Sequence, residues 1–357
     1  MTRIFSVLVL SWLTVSSLLA QSLTKKADHE FDQLAYARAI DLYEQALANP
    51  VNLTDEERRH ARAKLGYSYQ QTRDMPNAER VYRDLMSSGA LTADYHKCYL
   101  FYAQALASNG KYHEAREAYD KYGSVQSSDK RSPSFSKLYS DVSVLTRNAG
   151  SYKVEFLTMN TRKAEFSPIL YKDGLVFVSV GSGGNGIRRV FNWNNTPFLD
   201  LYYLPDLKTI RASKASSLAG SASATKRTPT RVIRPLGSDD FTAPTANDTR
   251  TVGFYGGNSL NMGYEDQSSS ESDQFSRTLN TKYHEGPATF SKDGSRVIFT
   301  RNNFNKGQYR QSSDGINKLK LYTATQTNGV WSKAEELPFN SDEYSTGHPA
   351  LSKKPPW

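Results

Sequence analysis

Two periodicities divide the chain. From about residue 24 to 148, apolar residues recur at helical spacing; from about 152 to the end they come in short runs bounded by Gly, Pro, Asn and Asp. The second half repeats one hairpin. Ala288 to Phe290 reads as a short strand, Ser291-Lys292-Asp293-Gly294 as a turn and Val297-Ile298-Phe299 as the returning strand. Asp293 suits a turn because its carboxylate bonds its own backbone, and Gly294 because it accepts positive φ. Pro287, after Glu285, is placed at the strand entrance, where its missing N–H costs nothing. The pattern occurs earlier as Glu165, Pro168, Asp173-Gly174 and Val176-Phe177-Val178, and begins again as His348-Pro349-Ala350-Leu351. Leu199–Leu204 and Leu319–Ala324 read as third strands, and Val330–Leu337, after an Asn328-Gly329 turn, as a fourth. Four antiparallel strands per unit make a propeller blade. The interval between Pro168 and Pro287 is roughly twice that between Pro287 and Pro349. Its excess holds residues 208–230, rich in Ser, Ala, Lys and Thr and read as a flexible insertion, and Thr251–Tyr255, read as a degenerate strand.

The helical half carries a finer pattern. Leu65-Gly66, Tyr69, Ala78 and Tyr82 form its clearest instance; Ala103, Leu106, Ala115, Tyr119 and Tyr122 repeat it, and Ala39, Tyr43 and Ala46 supply the second helix of a first repeat. Small residues let two antiparallel helices touch, and the aromatic fills the gap to the next pair. These motif residues resemble tetratricopeptide repeats over about a third of the chain, with intervals slightly longer than the usual period of about 34. An ordinary helical bundle is the competing reading. Ser132-Pro133 starts a last helix running to about Arg147, with Phe135, Leu138, Tyr139, Val142 and Leu145 on one face, expected to cap the array. The fold class expected is therefore α + β multidomain: a helical-repeat array with its cap over 24–148, then an incomplete antiparallel β-propeller over 152–357.

Composition narrows the classes. Hydrophobic residues are 38% and mean hydropathy is −0.62, which excludes a membrane bundle. The charge of +9 is spread along the chain rather than clustered, so no nucleic-acid partner is expected. Residues 1–20 read as a secretory signal: Arg3, an apolar run Ile4–Leu19, and Ala20-Gln21 at the cut. Gln21 stands where a lipoprotein needs Cys. The single cysteine, Cys98, lies on an apolar helical face and is read as a buried, inert thiol.

Four patterns bear on chemistry. Gly181-Ser182-Gly183-Gly184-Asn185-Gly186 matches a dinucleotide fingerprint, but Ile187–Asn195 does not read as the helix that site needs. His29, His60, His96, His113, His284 and His348 show no metal-ligand spacing; His284 and His348, ahead of the prolines, suit loop hydrogen bonds. Asp173 and Asp293 read as turn carboxylates. G-x-S-x-G is absent. No enzyme, cofactor or metal is expected.

The Glu-x-x-Pro and Ser-Lys-Asp-Gly hairpins resemble TolB-type, WD40-like propeller repeats. Phe191-Asn192-Trp193, Phe198–Tyr203, Leu279–Pro287 and Gly347–Ser352 resemble a narrower group: Bacteroidetes OmpA-family envelope proteins with N-terminal tetratricopeptide repeats, the PorE-like proteins associated with type IX secretion. The resemblance implies export to the periplasm, association with the outer membrane, and envelope or secretion-system proteins as partners. The family continues through more blades, often a carboxypeptidase-regulatory-like domain, and an OmpA-like peptidoglycan-binding domain. This sequence departs from it at Lys354-Pro355-Pro356-Trp357, where Asp-Gly and a strand are expected, so it looks truncated and peptidoglycan binding falls on no residue here. The alternative is the propeller portion of an exported peptide- or sugar-processing enzyme whose catalytic domain lies outside this chain.

Overall fold

The computed structural model describes residues 23–48, 53–155, 157, 159–160, 164–180, 186–212, 252–255 and 272–352, with backbone alone at 186–189 and 252–255. The signal at 1–20, the glycines from 181 to 185 and the insertion beyond residue 212 lie outside the described residues. The chain divides into two compact units, residues 1–153 and 154–357.

The first unit is helical: α1 (23–32), α2 (Tyr36–Ala48), α3 (Asp55–Gln71), α4 (Met75–Met86), α5 (Lys97–Ser108), α6 (Tyr112–Val125), α7 (Arg131–Ser140) and the short α8 (Ser143–Thr146). Successive helices from α2 to α7 pack on one another. Their starts are written locally. Thr54 and Glu57 form a reciprocal capping box on α3, and the Asp74 carboxylate accepts from Asn77 N–H at the head of α4. Small residues fix the close contacts. Ala39, Ala78, Ala103 and Ala115 are all fully buried. A Cβ on Gly66 would lie 2.7 Å from the Tyr82 ring, and one on Gly123 would lie 2.4 Å from Ser132 Oγ, which donates to the Tyr119 carbonyl at 2.6 Å.

The capping helix is shorter than the pattern predicts. It ends at Ser140, because the Asp141 carboxylate accepts from both the N–H and the hydroxyl of Ser143 and offers the backbone a turn instead. Phe135 and Tyr139 pack against the helical core, whereas Val142 and Leu145 stay 41% and 48% exposed.

The second unit holds β1 (Glu165–Tyr171), β2 (Gly174–Ser179), β3 (Gly186–Phe191), β4 (Thr196–Pro197), β5 (Asp200–Leu204), β6 (Val252–Tyr255), β7 (Asp273–Gln274), β8 (Glu285–Phe290), β9 (Arg296–Asn302), β10 (Phe304–Asn305), β11 (Gln308–Tyr309), β12 (Leu319–Thr327), β13 (Val330–Trp331) and β14 (Glu335–Glu336). One antiparallel sheet runs β1-β2-β5-β7. The other runs β8-β9-β12, with both β13 and β14 on the far side of β12. The expected single strand Val330–Leu337 is thus two short pieces, divided around Ser332, whose N–H and hydroxyl both bond Thr325. The expected strand at Thr251–Tyr255 appears as β6, in a separate β4-β3-β6 sheet. Residues from Gly186 onward form strand β3, not a phosphate-binding helix.

The two main sheets are copies of one another. Phe177 and Tyr202 pair across β2 and β5 with rings 6.2 Å apart; Phe299 and Tyr322 pair across β9 and β12 at the same 6.2 Å. The Asn280 carboxamide accepts from Leu201 N–H and donates to Leu201 C=O, and Asn340 does the same to Leu321. The sheets stack in the same sense. Val176, Val178 and Leu201 of the first meet Val297, Phe299 and Tyr322 of the second in one core. Phe177, although the counterpart of Phe299, points to the opposite side, where it packs with Met159 and Leu204. Tyr171 reaches between the sheets, its ring 4.4 Å from Phe290 and its hydroxyl donating to Gln326. No closed ring of sheets forms among the described residues.

Candidate interaction surfaces

The helical motif residues come together. Ala78, Tyr82, Ala115 and Tyr119 are buried in one core with Gly66 against Tyr82. Tyr69 is buried, and its hydroxyl donates to Glu44 at 2.7 Å; burial and that carboxylate push its pKa well up. Tyr119 stacks on Phe135, 5.1 Å between centroids. Cys98 is buried, and burial pushes its thiol up to about 12, so it is not a nucleophile at neutral pH.

A second set of rings in this unit stands outside the small-residue motif. Phe31 on α1, Tyr67 on α3 and Phe101 on α5 form a row, 5.7 Å and 5.4 Å between neighbours, each ring half-buried. Lys64 Nζ lies 4.8 Å over the Phe31 ring, and Gln70 and Gln104 join by an amide hydrogen bond at 2.9 Å. The signal was present in the sequence, since Tyr67, Phe101 and Phe135 recur every 34 residues. At one end of the row Asp28 gathers Tyr43, His60 and Lys64. Burial alone would raise its carboxyl; the bonds from Tyr43, Lys64 and His60 outweigh that and hold it below the usual range.

In the β unit the predicted motif residues serve different ends. Glu285 is fully buried; Thr281 donates to it by N–H and hydroxyl, and Arg301 Nε lies 3.0 Å away. Burial pushes the carboxyl up while Arg301 pulls against it. At the counterpart position Glu165 accepts from the Ser179 hydroxyl at 3.4 Å. Pro287 does not stand at a strand entrance. It and Pro168 sit in β-bulges, Gly286-Pro287 opposite Thr300 and Ser167-Pro168 opposite Phe177, where no ladder N–H is needed. Asp293 is the expected turn carboxylate, accepting from Ser291 and Ser295, with Gly294 at φ +70°. The first hairpin turns otherwise. Lys172 takes the positive φ, and Gly174, after Asp173, is needed because a Cβ there would lie 2.2 Å from the Leu204 carbonyl. His284 makes the expected loop bond, Nδ1 accepting from Leu199 N–H at 3.1 Å. His348 bonds through its backbone N–H to Thr300, and Pro349 begins no strand: residues 347–352 have no ladder. No group of three His, Cys, Asp or Glu poised for a metal occurs among the described residues.

No protein-family model and no curated protein matches the chain. Similar solved structures include the first tetratricopeptide-repeat domain of Spaghetti bound to an HSP90 peptide (19% identity, 35% of this chain, 94% of that one, TM-score 0.28). Another is the Sgt2 tetratricopeptide-repeat domain from Aspergillus fumigatus (18% identity, 38% and 86%, TM-score 0.29). At these scores the likeness adds no weight to the helix packing described above.

Proposed function

We propose that the chain is a non-enzymatic scaffold of the cell envelope, exported to the periplasm and associated with the outer membrane, whose helical unit captures segments of envelope or secretion-system proteins. The carrying observation is the half-buried row Phe31, Tyr67 and Phe101, a strip of rings tilted 56° and 58° to one another that crosses three helices, two of them also joined by the Gln70–Gln104 amide bond. Such a strip suits a peptide, apolar side chains on the rings and backbone groups at the amides. The same-sense stacking of the two copied sheets supports reading them as blades of an incomplete TolB-type propeller. Export rests on the apolar run Ile4–Leu19 before Ala20-Gln21, and type IX secretion on the family resemblance.

The test is peptide selection by phage display on the full chain. Selected peptides should lose at least about tenfold in affinity, roughly 1.4 kcal/mol, on Tyr67→Ala or Phe101→Ala with helical circular dichroism retained. Peptides that bind both variants as tightly as the parent would refute the reading. The envelope fraction should contain a mature chain beginning near Gln21.

A further inference from the structure

Among the described residues, the first sheet is covered where the second, at matching positions, is open. The chain leaves both sheets by the same route. Glu285 N–H donates to the Leu199 carbonyl at 2.8 Å, and Thr346 N–H donates to the Leu319 carbonyl at 2.9 Å. Counted from these bonds and from the Asn280 and Asn340 side chains, Leu279 corresponds to Phe339, Tyr283 to Tyr344 and Phe290 to Leu351. Leu279 and Tyr283 are 0% and 5% exposed, and Phe290 packs into the core between the sheets. Phe339, Tyr344 and Leu351 are 55%, 53% and 41% exposed. The sheet faces follow suit. Val176 and Leu201 are fully buried where the second sheet covers the first, whereas their counterparts Ile298 and Leu321 keep part of their surface in solvent.

Residues 346–352 follow the course of a first strand. Ser167 stands two residues after Glu165 and His348 two residues after Thr346; each has a positive φ, +53° and +57°, and each precedes a proline. The His348 N–H donates to the Thr300 hydroxyl at 3.0 Å, on the face of the second sheet opposite Phe299. The difference lies in the pairing. β1 pairs with β2 and β8 with β9, both antiparallel, but residues 347–352 stand in no ladder among the described residues. The two pairing strands are alike, Leu175-Val176-Phe177 in β2 and Val297-Ile298-Phe299 in β9. In β9, Val297 and Phe299 are the side chains that meet the neighbouring sheet.

We infer that residues 346–352 and the open face of the second sheet accept one extended strand of a partner protein, antiparallel, with aliphatic and aromatic side chains at alternate positions. The contact continues the interface already made between the two sheets of this chain. Backbone groups supply the ladder, and Ile298, Leu321, Phe339 and Leu351 receive the alternate side chains. Tyr344–Ser352 contains no Asp, Glu, Lys or Arg, so this segment selects its occupant by apolar side chains rather than by ion pairs. A second copy of the chain fits less well as the donor. Its strands of the right pattern are already paired on both sides, β2 by β1 and β5, and β9 by β8 and β12.

The probe is a fluorescent peptide copying residues 295–301, Ser-Arg-Val-Ile-Phe-Thr-Arg, titrated with the full chain and read by anisotropy. Peptide and chain are both basic, the chain at +9, so net charge does not draw them together. The peptide should bind saturably and lose at least about tenfold in affinity on Leu351→Asp or Phe339→Asp in the chain, with circular dichroism unchanged. A peptide of the same composition in scrambled order, or one with Ile298→Pro, which lacks a ladder N–H, should bind at least about tenfold more weakly. Absence of binding, equal binding by both chain variants, or equal binding of the scrambled peptide would each overturn the inference. So would self-association of the chain alone that Leu351→Asp abolishes, since a second copy would then fill the seat. Because all the changed residues lie in the β unit, these results are separable from those for the helical row.

Discussion

Alanine at position 66 should weaken the helical unit even though alanine is the better helix former. Replacing glycine in a helix interior gains about 1 kcal/mol from propensity alone. Against that, the new Cβ would lie 2.7 Å and 2.8 Å from Cε1 and Cζ of Tyr82. Carbon atoms prefer about 3.5–4.0 Å, so the ring must retreat by roughly 0.8 Å. It has little room: Tyr82 is fully buried, with the Phe101 ring 6.3 Å away. Overpacking of this kind costs about 1–3 kcal/mol, leaving a net loss of about 1 kcal/mol for Gly66→Ala. The sign should reverse once the ring is gone. In a Tyr82→Leu background, itself costing about 2–4 kcal/mol through the cavity left behind, Gly66→Ala should recover up to about 1 kcal/mol. The coupling between the two sites is then about 1–3 kcal/mol, well above the error of a double-mutant cycle. Urea unfolding followed at 222 nm reads this unit, since the described α-helices all belong to it. If Gly66→Ala stabilised both backgrounds alike, Tyr82 would not be pressing on position 66.

Two further substitutions probe the β unit. Gly174→Ala should cost about 1–3 kcal/mol, because the added Cβ meets the Leu204 carbonyl at 2.2 Å and Pro205 Cα at 3.0 Å, which are backbone atoms unable to rotate away; an unchanged thermal midpoint would refute the close approach of β2 to β5. His284 gives a pH signature. Burial pushes its pKa from 6.5 down to about 3, so the folded state resists protonation. Its contribution is therefore complete above pH 6.5 and shrinks as the pH falls toward 3, by about 2 kcal/mol at pH 5. His284→Asn keeps an acceptor for Leu199 but cannot titrate, so parent and variant stability should converge by about that amount between pH 7 and pH 5; parallel curves would show that the ring is protonated as freely folded as unfolded.

Much of the helical unit is legible because it is encoded by complementarity between neighbours: a missing side chain at Gly66 and a ring at Tyr82 identify each other. Tyr67 and Phe101 of the ring row were equally legible by period, since Phe135 continues their 34-residue spacing, but Phe31 falls outside it and the small-residue motif contains none of them. The copied hairpins of the β unit were visible, but the prolines suggest a false alignment. The ring pairs Phe177–Tyr202 and Phe299–Tyr322 align Glu165 with Glu285, which sets Pro168 against Ala288 rather than Pro287. A bulge absorbs one residue at either of two places, so sequence motifs slip where backbone pairing does not. The Asn280 and Asn340 clips were invisible for another reason, since each side chain bonds the backbone of a residue far from it in the chain.

Those two asparagines bear on how the molecule is made. Each grips both the N–H and the C=O of one residue on the outer side of its sheet, just before the chain moves on, from Asn280 to β8 and from Asn340 toward residue 346. A strand edge with free backbone groups is a template for pairing with other chains. Here the edge of the first sheet is stitched shut by residues that leave the ribosome before β8 does. The nascent chain can thus complete one sheet and seal its outer margin before the next begins. Each repeat of such a module brings the clip for its own last-made edge, so growth by repetition carries part of its protection with it.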